Sequence, residues 1–143
     1  MTGNINFRIA VKAFIQDEEG KLLLLKRSSN SPHKPDVWDV AGGRLDLGEN
    51  PFLGLKREVS EETNLQIEIE KPIQVNHFTR DDGQTITMIC FQCKTENADV
   101  VLSEEHMAYK WCKLEEAVDI ICPHMLLGVK VLQKLNNNGK SNL

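Results

Sequence analysis

The chain has no excess of positive charge, no second C-x-x-C and no long apolar run, and each absence closes a class of function. With 17 Lys and Arg against 21 Asp and Glu, the formal net charge is −4. A general nucleic-acid or membrane electrostatic footprint is therefore not expected. The first residues, Met-Thr-Gly-Asn-Ile-Asn-Phe-Arg, contain no apolar h-region. No apolar stretch approaches the ~20 residues that span a bilayer. Four cysteines occur, Cys90, Cys93, Cys112 and Cys122. Cys90 and Cys93 stand in a segment that reads as a strand, where i and i+3 face opposite sides. A zinc site or redox pair is disfavoured, and reduced, half-buried thiols in a cytoplasmic protein are expected. No internal repeat is visible. His33, His77, His106 and His124 are scattered with no nucleophile beside them, so each is first read as structural or surface-exposed.

What remains is an ordinary globular composition, 41% hydrophobic and 27% charged over 143 residues, enough for one domain over residues 1–143. Residues 1–4 and the Asn-rich 136–143 are expected to fray. Phe7, Ile9, Val11, Ala13 and Ile15 alternate with more polar neighbours and predict a strand with one buried face. After the Asp17–Gly20 turn, Lys21–Arg27 returns as a strand whose Leu22–Leu25 run suits a sheet interior covered on both sides. Arg27 ends it, as a solvated strand end or as a phosphate contact. Val37–Val40 is a short strand, and its Trp38 is either core or a base-stacking platform. Asn50 is a good N-cap and Pro51 a good first helical residue. Leu65–Phe78 reads as extended, Asp81-Asp82-Gly83 as a hairpin turn and Gln84–Lys94 as the returning strand. Tyr109–Cys112 is a further strand. A final helix opened by Pro123 carries a stripe at Met125, Leu126, Val129, Leu132 and Leu135.

The helix that starts at Pro51 is electrostatically odd. Glu58, Glu61 and Glu62 fall within an arc of about 100°, next to an apolar arc of Phe52, Leu55 and Val59. Like charges at i,i+3 and i,i+4 cost a few tenths of a kcal/mol per pair, and the C-terminal half of a helix also disfavours anions. A bound cation would remove the conflict. Carboxylates without nearby nitrogen or sulfur donors suit a hard ion, Mg²⁺ or Mn²⁺.

The stretch from Gly43 to Leu65 resembles the Nudix box: Gly43, Glu49, Arg57, Glu58, Val59, Glu61, Glu62 and Leu65 stand at its spacing. Asn64 replaces the usual glycine, at a position where the helix ends left-handed and where Asn is the next-best residue. Ser103-Glu104-Glu105-His106 before Trp111, followed by Leu114–Ala117, is similar to an element of many members of the family. The resemblance implies an α/β fold, a Nudix-type α/β/α sandwich with a central mixed β-sheet, the box helix on one side and the C-terminal helix on the other. It also implies hydrolysis of a nucleoside diphosphate linked to another moiety by water attack on the pyrophosphate bridge. The implied metal ligands are Glu58, Glu61, Glu62 and the Gly42 carbonyl. Glu61 or Glu105 is the implied general base, with Glu104 the alternative to Glu105, and Glu49 and Arg57 are a supporting pair. Arg27 and Trp38 are the candidates for substrate contact.

Subfamily marks are weaker. Thr79 stands where ADP-ribose pyrophosphatases tend to have Pro, and Arg80, Asp81 and Asp82 where dinucleoside polyphosphate hydrolases tend to have Tyr. A (d)NTP or modified-nucleotide pyrophosphohydrolase is the leading expectation. A dinucleoside polyphosphate hydrolase is second, and a non-catalytic nucleotide-sensing module is the rival of another class. The expected partner is a small nucleotide, with neither a nucleic acid polymer nor a membrane; a homodimer is left open.

Overall fold

The computed structural model describes residues 6–32 and 34–141, with side chains through 138; the fraying expected of residues 1–4, 142 and 143, and the surface role of His33, lie outside them. Seven strands form one mixed sheet: β1 (Phe7–Gln16), β2 (Leu22–Arg27), β3 (Trp38–Asp39), β4 (Ala41–Arg44), β5 (Glu68–Thr79), β6 (Thr85–Lys94) and β7 (His106–Cys112). The main path runs β3-β2-β1-β6-β5, with β4 paired to β1 and β7 to β2. β1 and β6 are parallel in unbroken register from Phe7–Thr85 to Gln16–Lys94. The other pairings are antiparallel.

Alternation along the strands sorts side chains into two cores. Ala10, Phe14, Leu22, Leu24, Met88 and Cys90 share one core with α2 (Leu114–Ile120) and α3 (Leu126–Ser141). Val11, Ala13, Ile15, Leu23, Leu25 and Cys93 share the other with Leu55 and Val59 of α1 (Pro51–Thr63). The sheet is thus covered by α1 on one side and α2 and α3 on the other, the sandwich expected. The continuously apolar β2 is buried from both sides, as its composition required. Cys90 and Cys93 fall in opposite cores, and all four cysteines are free and fully buried, more so than the half-burial expected.

Local chemistry accounts for the ends of α1. The Asn50 side chain accepts hydrogen bonds from the N–H groups of Phe52 and Leu53, and Asn64 adopts φ 61° and ψ 21°, the left-handed cap that its sequence position called for. Pro72 sits in β5, at the edge of the main path, with register shifts on either side of it, where its missing N–H costs least.

Two differences from the sequence reading matter. β4 extends the short strand past Val40 through the glycines, and pairs with β1 from Ala10–Arg44 to Ala13–Ala41. A separate helix, α2, occupies Leu114–Ile120. α3 continues to Ser141, so the backbone of 136 to 141 extends a helix that Val129 and Leu132 anchor to the core.

Candidate active site

Gly42 and Gly43 bring the box helix against the sheet. Gly42 has φ 139°, and a Cβ there would lie 2.1 Å from the Val11 carbonyl oxygen. A Cβ on Gly43 would lie 2.8 Å from Glu58 Oε2. Only glycines leave room for β1 on one side and the Glu58 carboxylate on the other. The Glu62 carboxylate is tied to the same loop, because the Gly42 N–H donates to its Oε1 at 3.0 Å. The two glutamates, one turn apart, thus converge on the two glycines.

A distant loop completes the cluster. The last carbonyls of α1 lack intrahelical partners, and two of them are taken by this loop: Val101 N–H donates to Thr63 O, and Ser103 N–H to Glu62 O. These bonds carry Glu104 and Glu105 to the rim of the same cleft. Burial pushes the Glu62 pKa up to about 8, against the opposing Lys12 charge and Gly42 N–H, and the charges of Glu58 and Glu105 add to the rise. Burial likewise raises Glu58, opposed by Arg57 and reinforced by Glu61 and Glu105. Carboxylates this close raise one another because none can ionise freely beside the rest. The donor set is all hard oxygen, and its mutual repulsion fits a divalent cation of the Mg²⁺ or Mn²⁺ kind.

Arg57 holds the flank of this cluster. Its Nε and Nη2 donate to Glu49 Oε2 and Oε1 at 2.7 and 2.9 Å, a two-point fork. The hydrogen bonds from Arg57 and from the Asp46 N–H bring the Glu49 pKa down to about 2. Nη1 reaches Glu58 Oε1 at 3.2 Å and both oxygens of Glu61. Glu61 therefore lies outside the cleft, on the exposed side of the helix and paired with Arg57. The helical arc placed three carboxylates together, whereas the i,i+4 cation turns one of them away.

The cleft is open and about 1140 Å³ in volume. Arg27 lines it, and its Nη2 donates to Asp39 Oδ2 at 3.0 Å. Trp38 does not line it. Its side chain packs on the core shared with α2 and α3, and its strand is pinned there by the Cys122 N–H on the Trp38 carbonyl.

Four groups near the cleft have no functional role in the sequence reading: Lys12 and Asp39, which it does not single out, and His106 and His124, which it takes as structural or surface-exposed. Lys12 projects from β1 into the α3 side of the sheet, 5% exposed, and donates to Asp39 Oδ2 and Val40 O at 3.3 and 3.1 Å. A lysine among Val11, Ala13, Phe14 and Ile15 was the available signal, since a cation in a buried strand needs a reason. Burial works to raise Asp39, but Lys12, Arg27 and the Val40 N–H hold it well below the usual carboxylate range. Burial, with the Lys12 charge, takes His106 down to about 4. Burial also lowers His124, whose Nδ1 lies 3.1 Å from Lys34 Nζ.

Ligand atoms of Asp39, Cys122 and His124 lie within 4.8 Å of one another. They do not fit a metal ion, because the Asp39 oxygens already accept from Lys12, Arg27 and the Val40 N–H. Two cations on the only carboxylate of the group would repel a third.

A NUDIX domain model matches residues 6–127. The chain is 34% identical over 106 residues to an asymmetrical bis(5'-nucleosyl)-tetraphosphatase of Caenorhabditis elegans, covering 71% of this chain and 75% of that one. It is 31% identical over 119 residues to the nucleoside triphosphatase NudI of Salmonella agona, covering 76% and 84%. The fold superposes on a MutT protein from Methanosarcina mazei with a TM-score of 0.78 and 29% identity, covering 97% of this chain and 99% of the other. No helix among the described residues is long and apolar enough to cross a membrane. The family match, the intact box and the sandwich agree, and the chain belongs to the Nudix hydrolases, enzymes that act on pyrophosphate bonds.

Proposed function

We propose that this hydrolase cleaves nucleoside triphosphates, deoxy or modified forms included, with Mg²⁺ or Mn²⁺, releasing a nucleoside monophosphate and pyrophosphate. The observation that carries the reading is the convergence of Glu58 and Glu62 on Gly42 and Gly43, with Glu105 at the rim, in a cleft whose other walls present Arg8, Arg27 and Arg44. Glu58, Glu62 and the Gly42 carbonyl are the proposed metal ligands. A divalent ion held there would neutralise phosphate charge and activate water at neutral pH. Glu61 would have to give up its Arg57 pair to join the set. Glu105, exposed at the rim and on a loop fixed by backbone bonds to the helix end, is the proposed general base. Glu49 acts through Arg57, which sets where Glu58 points.

A second reading, hydrolysis of a dinucleoside polyphosphate, is favoured by the cleft's continuation. A neighbouring cavity of about 510 Å³ shares Lys34, Phe78 and His124 with it and would accommodate a further nucleoside. Nucleotide-sensing domains of the family commonly lose box carboxylates, and this chain retains them.

Incubation with the common nucleoside triphosphates and diadenosine tetraphosphate, with Mg²⁺, separates these outcomes by product. Monophosphate plus pyrophosphate from the triphosphates is expected. ATP plus AMP from the tetraphosphate, with the triphosphates untouched, would move the assignment to the second reading. Tight binding without turnover of any of them would overturn both in favour of a sensor.

A further inference from the structure

The carboxylates and the buried lysine occupy different sides of the sheet. Glu58 and Glu62 come from α1, whereas Lys12 shares a face of β1 with Ala10 and Phe14, which pack with the α3 core. Beside it the cleft floor is apolar, made by Ala10, Ile86 and Met88. The cleft is therefore lined by the proposed metal ligands Glu58 and Glu62 and also by an apolar shelf of Ala10, Ile86 and Met88 beside a buried cation.

Asp39 Oδ2 accepts from both Lys12 and Arg27, and the Lys12 charge also acts on Glu62. Lys12 and Asp39 have side-chain exposures of only 6% and 1%. Ammonium has three N–H donors. Those of Lys12 go to Asp39 and to the Val40 carbonyl, leaving one without a protein acceptor among the described residues. His106 Nδ1, buried and also without a hydrogen-bond partner among the described residues, belongs to a second residue lining the cleft. A buried ammonium with an unused donor is costly, and an acceptor arriving with a ligand would satisfy it.

We propose that Lys12 is a specificity-determining residue, donating its third N–H to an oxygen acceptor on the half of the substrate that lies on the Ala10–Ile86–Met88 shelf, away from the box carboxylates. This deepens the nucleotide-hydrolase reading and rests on it. The acceptor belongs either to a nucleobase carbonyl or to a non-bridging phosphate oxygen. Both offer the same partner to the ammonium.

The test is Lys12→Met, which keeps the buried stem and leaves Asp39 paired with Arg27, with Lys21→Met as an exposed-charge control. KM and kcat are measured for GTP, UTP, ATP and CTP. A tenfold or larger rise in KM, with kcat within threefold, is expected for the nucleotides that use the contact. A rise confined to GTP and UTP identifies a base carbonyl, since ATP and CTP carry amino groups at the corresponding position. An equal rise for all four identifies phosphate. KM values within twofold of the native enzyme for all four would overturn the proposal. Should the single variant fail to fold, Lys12→Met with Asp39→Asn removes both charges together and must give the same split. Should the native protein turn over none of the four, the hydrolase reading fails by itself. Binding of the same nucleotides in EDTA then decides for Lys12, with a tenfold loss of affinity supporting it and a change below twofold overturning it.

Discussion

Replacing Glu62 with Gln gives opposite effects on stability and activity, and the structure supplies the size of the first. Glu62 is 4% exposed, and in the metal-free fold its pKa stands at about 8 against an ordinary value of 4.5. Between those two values the folded chain binds a proton that the unfolded chain has released. Stability must then fall as pH rises through that window, because the folded state holds the greater number of protons. At pH 7 the cost of taking up that proton is at most about 3 kcal/mol, from ~1.4 kcal/mol per pH unit above the unfolded value. Glutamine keeps the acceptor for the Gly42 N–H and needs no proton. In EDTA at pH 7 the Glu62→Gln protein should gain about 1–3 kcal/mol, a rise of several degrees in Tm for a domain of this size.

The assay is denaturant unfolding in EDTA at pH 5, 6, 7 and 8, beside turnover with Mg²⁺. The native protein should lose stability across the series, and the Gln variant should lose less. Saturating Mg²⁺ should stabilise the native protein increasingly as pH rises, since the ion competes with the proton for Glu62, and should do little for the variant. Turnover should fall at least a hundredfold. Equal pH slopes for the two proteins in EDTA would refute the burial argument. Near-normal turnover would refute the ligand assignment.

Gly43→Ala places a Cβ 2.8 Å from Glu58 Oε2, at the end of a flexible side chain. The carboxylate should yield before the backbone does, so the Mg²⁺ concentration for half-maximal activity should rise tenfold or more while Tm moves by only a few degrees; an unchanged metal requirement would show that Glu58 is not positioned by this contact. Asn64→Gly should be neutral or stabilising by less than ~1 kcal/mol, because φ 61° costs glycine nothing. Asn64→Ala should lose about 1 kcal/mol. Chemical denaturation measures both, and a larger loss for the glycine variant would contradict the left-handed cap.

The two ends of the cleft differ in how far apart in the chain their parts lie, and this decided what could be read from residues alone. The proposed reaction end is nearly contiguous: Gly42, Gly43, Glu49, Arg57, Glu58 and Glu62 lie in one strand, the loop after it and the helix that follows. Asn50 and Asn64 begin and end that helix by local hydrogen bonding and local φ. Helical periodicity therefore places these groups without knowledge of the rest of the fold. A neighbour modifies the arc: Arg57 Nη1 pairs with Glu61 at i,i+4 and holds it outward, while Glu58 and Glu62 line the cleft. Glu105 was legible only through its resemblance to an element of the family, because backbone bonds from Val101 and Ser103 to the helix end, not spacing, bring it there.

The shelf is assembled differently. Lys12 meets Asp39 across 27 positions of chain, Met88 arrives through the parallel pairing of β1 with β6, and His124 is held by Gln74 and Asn76 of β5, both donating to its carbonyl. Periodicity in any one segment is blind to such meetings. Residue type leaves Trp38 open between core and base-stacking platform, and the folded sheet packs it against the core shared with α2 and α3. A single lysine inside an apolar alternation was the one local trace of this end, and its meaning depends on an aspartate that only the folded sheet supplies. On the roles proposed above, chemistry on the bridge is written in nearly consecutive residues and discrimination among substrates in contacts between strands. Variants along the box should consequently change kcat for every nucleotide alike, and variants on the shelf should change the ratio of KM between nucleotides.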